Sequence, residues 1–204
     1  MQIIDHSIEM IYPTSSEGWV QAAKYIELAA RNCYKSEEKI TNDSWIPMIR
    51  NLKERNHGAM LEFGSAMVRV TTDRGILAEF TRHRLFSYAV ESTRYCNYSK
   101  DKFGNELTFV RPVELQDNAL KVWKDTMQFL EKTYLDLIAM GTSPQNARSI
   151  LPNSLKTEMI VKGNLREWMH FFELRTSKAA HLDMRAVATL IQDEFQRGLP
   201  ELFA

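Results

Sequence analysis

The sequence predicts a single compact domain of mixed α/β (α+β) class, with helices packed around a small mixed sheet. Several segments carry apolar residues at helical spacing, while others alternate between apolar and polar residues as strands do. These segments follow one another without a regular βα repeat, which favours a mixed arrangement. A chain of 204 residues is long enough for one good core and short for two full domains. We therefore expect one domain over residues 1–204.

The chain begins with a predicted strand and a predicted helix. Residues 2–12 favour a strand, which Pro13 should end. Thr14 and Glu17 then have the spacing of a capping box, in which two side chains satisfy the first free N–H groups of a helix. Apolar residues recur at helical spacing after this box, so we expect an amphipathic helix over 16–34.

A second helix and a second strand follow. The helix is expected over 44–55, with Asp43 or Ser44 as its cap. A turn is expected at 57–58. Alternating apolar and polar residues then predict a strand over 61–72.

The middle of the chain predicts a helix, a polar loop and a short strand. Asp73 can cap a helix over 73–84, whose last apolar core position is Phe80. The loop is expected at 97–105 and the strand at 107–110.

The C-terminal half predicts mostly helices. A long helix should cover 113–140, with Gly141 as the residue after its end. A turn with a cap is expected at Gly163-Asn164. The other predicted elements are a helix at 144–150, a strand at 154–162, a helix at 164–176 and a last helix through 184–195.

Charge and cysteine content restrict the class of protein. Lys plus Arg and Asp plus Glu both total 26, so the chain lacks the basic excess of a typical duplex-DNA binder. Its two cysteines form neither a disulfide framework nor a C-x-x-C pair, which favours the reducing cytoplasm. No secretory signal or membrane-length apolar run is visible, so we expect a cytoplasmic protein with no membrane partner.

The common catalytic and metal-binding motifs are missing. No two of the five histidines are spaced as metal ligands on one helix, so we expect no metal, although distant residues could still assemble a site. The chain also lacks the G-x-S-x-G elbow, the Walker A motif and the G-x-G-x-x-G dinucleotide motif.

What remains is a distributed set of arginines. Guanidinium groups bind phosphates and carbonyls through paired donors, so their clustering with hydroxyl groups indicates a site for an anionic, nucleotide-like ligand. Surface ion pairs with Glu167, Glu173 and Asp183 are the simpler alternative for the C-terminal arginines. The arginines are Arg82, Arg84, Arg94, Arg148, Arg166 and Arg175.

These residues resemble the flavin-dependent thymidylate synthase family. The family signature is Arg-His-Arg, seven residues, Ser, and then Arg-Tyr shortly after. The chain has Arg82-His83-Arg84, seven residues, Ser92, and then Arg94-Tyr95. The resemblance extends upstream to His57 and Glu62 and downstream through 147–153 and 164–175, over roughly residues 1–195.

The resemblance implies an enzyme that methylates dUMP to dTMP, with methylenetetrahydrofolate as carbon donor and NADPH as reductant through bound FAD. It implies a homotetramer with active sites built from several subunits, in which Arg148 and 164–175 would come from a neighbouring subunit. The implied FAD contacts are His57, Ala59, Glu62, Arg82, His83, Arg84, Val90, Asn164, Arg166 and His170. The implied dUMP contacts are Glu79, Arg82, Ser92, Arg94, Arg148 and Arg175, with Arg175 as the catalytic residue that polarises the uracil ring.

Some positions differ from a common form of the family pattern. Ala59, Ala89 and Val90 stand where some members have polar residues, so only backbone contacts are expected there. His170 stands where asparagine can occur. Glu79 stands where some members have glutamine, and it would have to accept hydrogen bonds rather than donate them.

Two functions are compatible with these residues. As a synthase, the chain should use no protein nucleophile, because no general base is placed beside Ser92 by sequence. The alternative is a non-catalytic protein that binds nucleotides or single-stranded nucleic acid, with its aromatic residues as stacking partners. The balanced net charge and the distance along the chain to the second arginine group argue against a nucleic-acid partner.

Overall fold

The computed structural model describes residues 1–100 and 104–204, and it confirms the mixed α/β class. Part of the predicted polar loop at 97–105 lies outside the described residues. The strands are β1 (Gln2–Ile4), β2 (Ser7–Tyr12), β3 (Ser65–Asp73), β4 (Ser87–Val90), β5 (Thr108–Val110) and β6 (Lys156–Asn164). The helices are α1 (Ser16–Asn32), α2 (Trp45–Glu54), α3 (Gly58–Leu61), α4 (Arg74–Phe80), α5 (Asp117–Ala139), α6 (Pro144–Ala147), α7 (Leu165–Arg175), α8 (Leu182–Gly198) and α9 (Pro200–Phe203), with 3₁₀ turns at Glu37–Lys39 and Arg148–Ile150. None of the described helices has the length and apolar character needed to cross a bilayer.

Four strands form an antiparallel sheet in the order β2-β3-β6-β4. The central pair β3–β6 is in register from Ser65 opposite Asn164 to Asp73 opposite Lys156. Residues alternate in burial along both strands, as the sequence pattern predicted. Each central strand leads directly into a helix, β3 into α4 and β6 into α7. The predicted turn at Gly163-Asn164 is therefore wrong, because Gly163 lies within β6.

The predicted strand at 2–12 is divided between two sheets. β1 pairs in parallel with β5, whereas β2 pairs antiparallel with β3. The chain changes sheets at Asp5 and His6, where the His6 ring turns inward and its Nδ1 lies 2.9 Å from the Thr72 hydroxyl. A contact with a residue so distant in the chain cannot be inferred from local periodicity.

The larger hydrophobic core lies between the four-stranded sheet and the helices α1, α2, α7 and α8. Trp168 is fully buried at its centre, with its ring centroid 4.4 Å from that of Phe86 and 5.1 Å from that of Phe195. A second cluster joins α5 to β5 through Tyr134 and Phe109, which are both fully buried. Phe86 belongs to the Arg-His-Arg signature segment, so the large core also anchors that segment.

Side-chain caps fix where several helices begin and end. Asp73 and Asn164 cap α4 and α7 as predicted, accepting hydrogen bonds from the backbone N–H groups of Ile76 and Glu167 at 2.8 Å each. The cap of α1 is Ser15 rather than Thr14. Gly141 follows the end of α5 with φ of 88°, in the left-handed conformation that a glycine adopts without strain.

Three predicted boundaries were wrong. The helix predicted over 73–84 ends at Phe80, after which the chain makes tight turns and enters the unpredicted strand β4. α5 begins at Asp117 rather than at 113, and in the segment before it the backbone N–H of Val113 donates to Asp183. The strand predicted from 61 begins only at Ser65, because Leu61 ends the short helix α3 and a turn follows it.

Gly163 provides a test of the packing beneath the signature segment. A Cβ atom at this position would lie 2.3 Å from ring atoms of Phe86. We expect Gly163→Ala to lower the free energy of unfolding by about 1–3 kcal/mol, because the Phe86 ring is held by Trp168. Urea unfolding measures the change.

Lys162→Ala, at the exposed neighbouring position of β6, is the matched control and should change stability by less than about 0.5 kcal/mol. A Gly163→Ala protein as stable as the wild type would contradict this account of the packing.

Candidate active site

The last residue of α7, Arg175, joins that helix to the end of α4. Its Nη1 donates to Glu79 Oε2 at 2.9 Å, and its Nη2 lies 3.3 Å from the Glu79 carbonyl oxygen. Its Nε donates to His83 Nε2 at 3.0 Å. The Arg175 side chain keeps 20% of its surface exposed, so the guanidinium group is fixed in place yet reachable by a ligand.

His83 is the buried member of this group. Burial, the positive charge of Arg175 and that of His170, in this order of size, together lower the pKa of His83 to about 4. The imidazole is therefore neutral near pH 7, with Nε2 accepting from Arg175 and the proton on Nδ1. That proton faces Glu167 Oε1, which lies 3.5 Å from Nδ1.

Tyr88 on β4 holds the turn that contains His83. Its hydroxyl lies against the carbonyl oxygens of Phe80 and His83, the second at 2.9 Å. Burial raises the pKa of Tyr88 far above its usual value, so the hydroxyl remains a donor. The same contact explains why α4 ends at Phe80, since the free carbonyl groups at its end are occupied by Tyr88.

The late part of the signature forms a second group with the start of α6. Arg148 Nη1 donates to the Thr93 hydroxyl at 3.3 Å, and Arg94 Nε donates to Gln145 Oε1 at the same distance. Arg148 and Thr93 line an open cleft of about 660 Å³. The backbone N–H of Arg94 donates a hydrogen bond to Ser92 Oγ, with 3.4 Å between the nitrogen and the oxygen.

A third group surrounds Arg166 on α7. Arg166 Nη1 donates to Glu62 Oε1 at 2.7 Å in an ion pair that is about half exposed. Arg166 borders two adjoining clefts, one of about 500 Å³ that includes His57 and Ala59, and one of about 370 Å³ that includes Asn164 and His170. Five of the other nine predicted FAD contacts therefore lie around Arg166.

The remaining predicted residues are exposed on the signature segment. Arg82 and Arg84 are exposed, and neither side chain has an ion-pair or hydrogen-bond partner within 1–100 and 104–204. Val90 is 38% exposed at the end of β4. These side chains are available to a ligand or to another subunit.

The three groups are only partly brought together within one chain. Arg175 reaches Glu79 and His83, and His83 lies beside His170, with 6.1 Å between the two ring centroids. Arg148 likewise reaches the signature at Thr93. Arg148 and Arg175 therefore contact the signature segment within one chain, and the expectation that they complete the site from a neighbouring subunit stays a prediction.

Four residues that position the site were not predicted from the sequence. Thr93 accepts a hydrogen bond from Arg148, and Gln145 accepts one from Arg94. Tyr88 and Glu167 lie against His83 and its turn. Thr93 lies inside the signature and Gln145 lies three positions before Arg148, so proximity to named arginines was an available signal. Tyr88 and Glu167 gave no such signal, because their roles depend on contacts with the His83 turn.

Comparison with known proteins determines the family. A family model described as "Thymidylate synthase complementing protein" matches residues 17–201. The chain belongs to that family. This family membership confirms the interpretation made from the Arg-His-Arg signature.

Curated members of the family match most of the chain. A flavin-dependent thymidylate synthase from Corynebacterium efficiens is 28% identical over 226 aligned positions, covering 98% of this chain and 89% of that protein. One from Geobacter sulfurreducens is 30% identical over 170 positions, covering 80% of this chain and 72% of that protein.

A solved structure has the same fold. A UMP/dUMP methylase, PolB from Streptomyces cacaoi bound with 5-Br dUMP, superposes with a TM-score of 0.80 and covers 100% of this chain and 95% of that one. Its sequence is 20% identical. The two proteins therefore share a fold at low sequence identity.

The neutral His83 predicts a pH dependence of stability. The folded-state pKa of about 4 lies below the ordinary value of 6.5, so the unfolded chain takes up a proton at His83 before the folded chain does. The free energy of unfolding should therefore fall as pH decreases from 6.5 to about 4, by on the order of 2 kcal/mol from this group.

The His83→Gln variant isolates the contribution of His83 protonation to the free energy of unfolding, because the facing groups Arg175, His170 and Glu167 remain in the variant. Urea unfolding of both proteins across this pH range should show a steeper fall for the wild type. Parallel curves would contradict a neutral, buried His83.

Proposed function

We propose that this chain is a flavin-dependent thymidylate synthase that converts dUMP to dTMP. Methylenetetrahydrofolate would donate the carbon and NADPH would be the reductant. Family membership supports the reaction class, and one observation carries the chemical argument. Arg175 is held by Glu79 and His83 and still presents a partly exposed guanidinium group.

The residues around Arg166 fit an FAD cofactor. Two adjoining clefts offer apolar walls, an arginine and histidine side chains. The exposed Arg82 and Arg84 add cationic donors for a pyrophosphate. A Cβ atom on Gly58 would lie 2.8 Å from Arg166 Nε, so the glycine leaves room for the arginine at the cleft wall. When bound, the flavin supplies the hydride chemistry.

The Thr93 and Arg148 cleft suits the phosphate of dUMP. Arg94 and Arg148 are exposed cations on two different elements, and each is oriented by a neutral partner rather than by a carboxylate. A guanidinium without a carboxylate partner keeps its attraction for a phosphate dianion. Ser92 would add a hydroxyl contact to the nucleotide.

Arg175 would stabilise charge on the uracil ring. The C5 carbon of uracil is a poor nucleophile, and it becomes reactive when negative charge develops on the ring as an enolate shared between C5 and a ring carbonyl oxygen. A pre-oriented guanidinium beside those carbonyls stabilises this charge without reorganising. Because His83 is neutral and accepts from Arg175, it fixes the guanidinium without repelling it.

No protein nucleophile is required in this scheme. Within the described parts of the chain, Ser92 Oγ is bonded to a backbone N–H and has no imidazole or carboxylate partner that would remove its proton. The side chain is therefore proposed to bind the nucleotide.

A homotetramer in the cytoplasm is part of the same proposal. The flavin clefts around Arg166 and the phosphate cleft at Arg148 are separate within one chain. Exposed Arg82, Arg84 and Val90 would then complete ligand sites together with neighbouring subunits, with residues 1–204 acting as one catalytic unit.

The Arg175→Ala variant tests the role of the guanidinium. We expect the rate of dTMP formation to fall by at least about 100-fold, because a transition-state donor is lost. FAD should be retained, since the flavin clefts are built around Arg166. The assay follows dTMP from dUMP, methylenetetrahydrofolate and NADPH, with flavin absorbance measured on the same samples.

Arg197→Ala is the matched control, because Arg197 is an exposed arginine that pairs with Glu194 on its own helix α8. It should retain wild-type turnover. Wild-type turnover in Arg175→Ala would contradict the assigned role, and a wild-type protein that forms no dTMP would contradict the proposed function itself.

A further inference from the structure

A buried group of one histidine and two aspartates lies outside the proposed active site. His6 stands between β1 and β2, Asp73 ends β3, and Asp183 lies in the first turn of α8. One potential metal-ligand atom from each residue lies within 4.8 Å of the other two. The three residues are far apart in the chain, which is why the sequence spacing indicated no metal site.

The His6 ring points an unpartnered nitrogen into this group. Its side chain is only 4% exposed, and Nε2 has no hydrogen-bond partner among the described residues. The nearest carboxylate oxygen, Asp183 Oδ1, lies 3.5 Å away. On the other side of the ring, Nδ1 lies 2.9 Å from the hydroxyl of the fully buried Thr72. With the proton on Nδ1 donated to Thr72, the Nε2 lone pair faces the aspartates, as in metal-binding histidines.

The two aspartates are held in place by backbone groups. Asp73 Oδ1 accepts from the N–H of Ile76 at 2.8 Å, and Asp183 Oδ1 accepts from the N–H of Val113 at 2.6 Å. Each carboxylate therefore keeps a second oxygen for another partner. At the exposed rim of the group, His181 Nδ1 lies 3.9 Å from Asp183 Oδ2. This nitrogen could serve as a further metal ligand.

The charge of the group favours a cation. Both aspartates are at least nine-tenths buried. Two carboxylates in a buried space are stabilised when a cation lies between them. An imidazole nitrogen with carboxylate oxygens is a ligand set for zinc and related divalent ions.

We propose that His6, Asp73 and Asp183 bind a divalent transition-metal ion of the zinc class in a structural site. The ion would fasten the segment between β1 and β2 to the starts of α4 and α8. Through Val113, which donates to Asp183, the site also reaches the segment that leads into α5. The site would thereby connect the two sheets at the point where the chain passes from one to the other.

The test uses Zn²⁺ on the full chain after removal of metal with a chelator. Calorimetry should show saturable binding of one equivalent of Zn²⁺, and the melting temperature should rise as the ion binds only the folded state. His6→Gln and Asp183→Asn should each weaken binding at least about tenfold. Asp73 is left unchanged because it caps α4.

Asp5→Asn is the matched control. Asp5 is adjacent to His6 but exposed, with its carboxylate on Arg111, so its loss should leave Zn²⁺ affinity unchanged. Absence of saturable binding to the wild type would overturn the proposal. Binding that persists in His6→Gln would overturn it as well, because the ion would then lie elsewhere.

X-ray absorption at the zinc edge on the wild type gives a measurement that does not depend on how the variants fold. We expect a first shell of one imidazole nitrogen and oxygen atoms. A sulfur atom in the shell would assign the ion to a cysteine such as the exposed Cys33 and would overturn the proposal.

Discussion

The interaction between Arg175 and the Glu79–His83 turn is the constraint on which the arrangement of the proposed site depends. The paired strands β3 and β6 are antiparallel, so α4 and α7 start at opposite ends of the pair and run back toward each other. Their C-terminal ends meet at Arg175, with Phe80 and Phe171 stacked beneath at 5.0 Å between ring centroids. A guanidinium group is favoured there, because free carbonyl groups and the helix dipole attract a cation at a helix C-terminus.

Electrostatics then decides how that cation is presented. A buried, charged histidine beside Arg175 would repel the guanidinium, and the low pKa of His83 removes that charge at neutral pH. Among the residues that the structure describes, Glu79 provides the carboxylate that is hydrogen-bonded to Arg175, and it does so through a single oxygen. The guanidinium keeps its charge at any pH at which the fold persists, so its action on a ligand does not require proton transfer.

Local chemistry was predicted well from the sequence, and contacts between distant residues were not. Asp73 and Asn164 were recognisable as caps because a cap depends on the next three residues. The division of 2–12 into β1 and β2 depends on pairing with β5 and β3, which no local pattern records. β4 was missed because, as an edge strand, it buries only Tyr88 in part.

In the candidate site too, the residues were predicted from the sequence but their contacts with distant residues were not. The signature gave the residue types and their order, which is why the arginines and His83 were named from sequence. Their partners were not visible, since Arg175 and Glu79 lie 96 positions apart and Arg148 and Thr93 lie 55 apart. The His6, Asp73 and Asp183 group escaped notice for this reason as well, because it assembles from three separate elements.

In the proposed reaction, Arg175 withdraws electron density from the uracil carbonyl groups of dUMP. Infrared difference spectra of bound dUMP, labelled with ¹⁸O at each ring carbonyl in turn, measure this polarisation directly. We expect a lower carbonyl stretching frequency for dUMP bound to the wild type than for dUMP bound to Arg175→Ala at saturation. Identical frequencies in the two proteins at both carbonyl groups would contradict this role of Arg175.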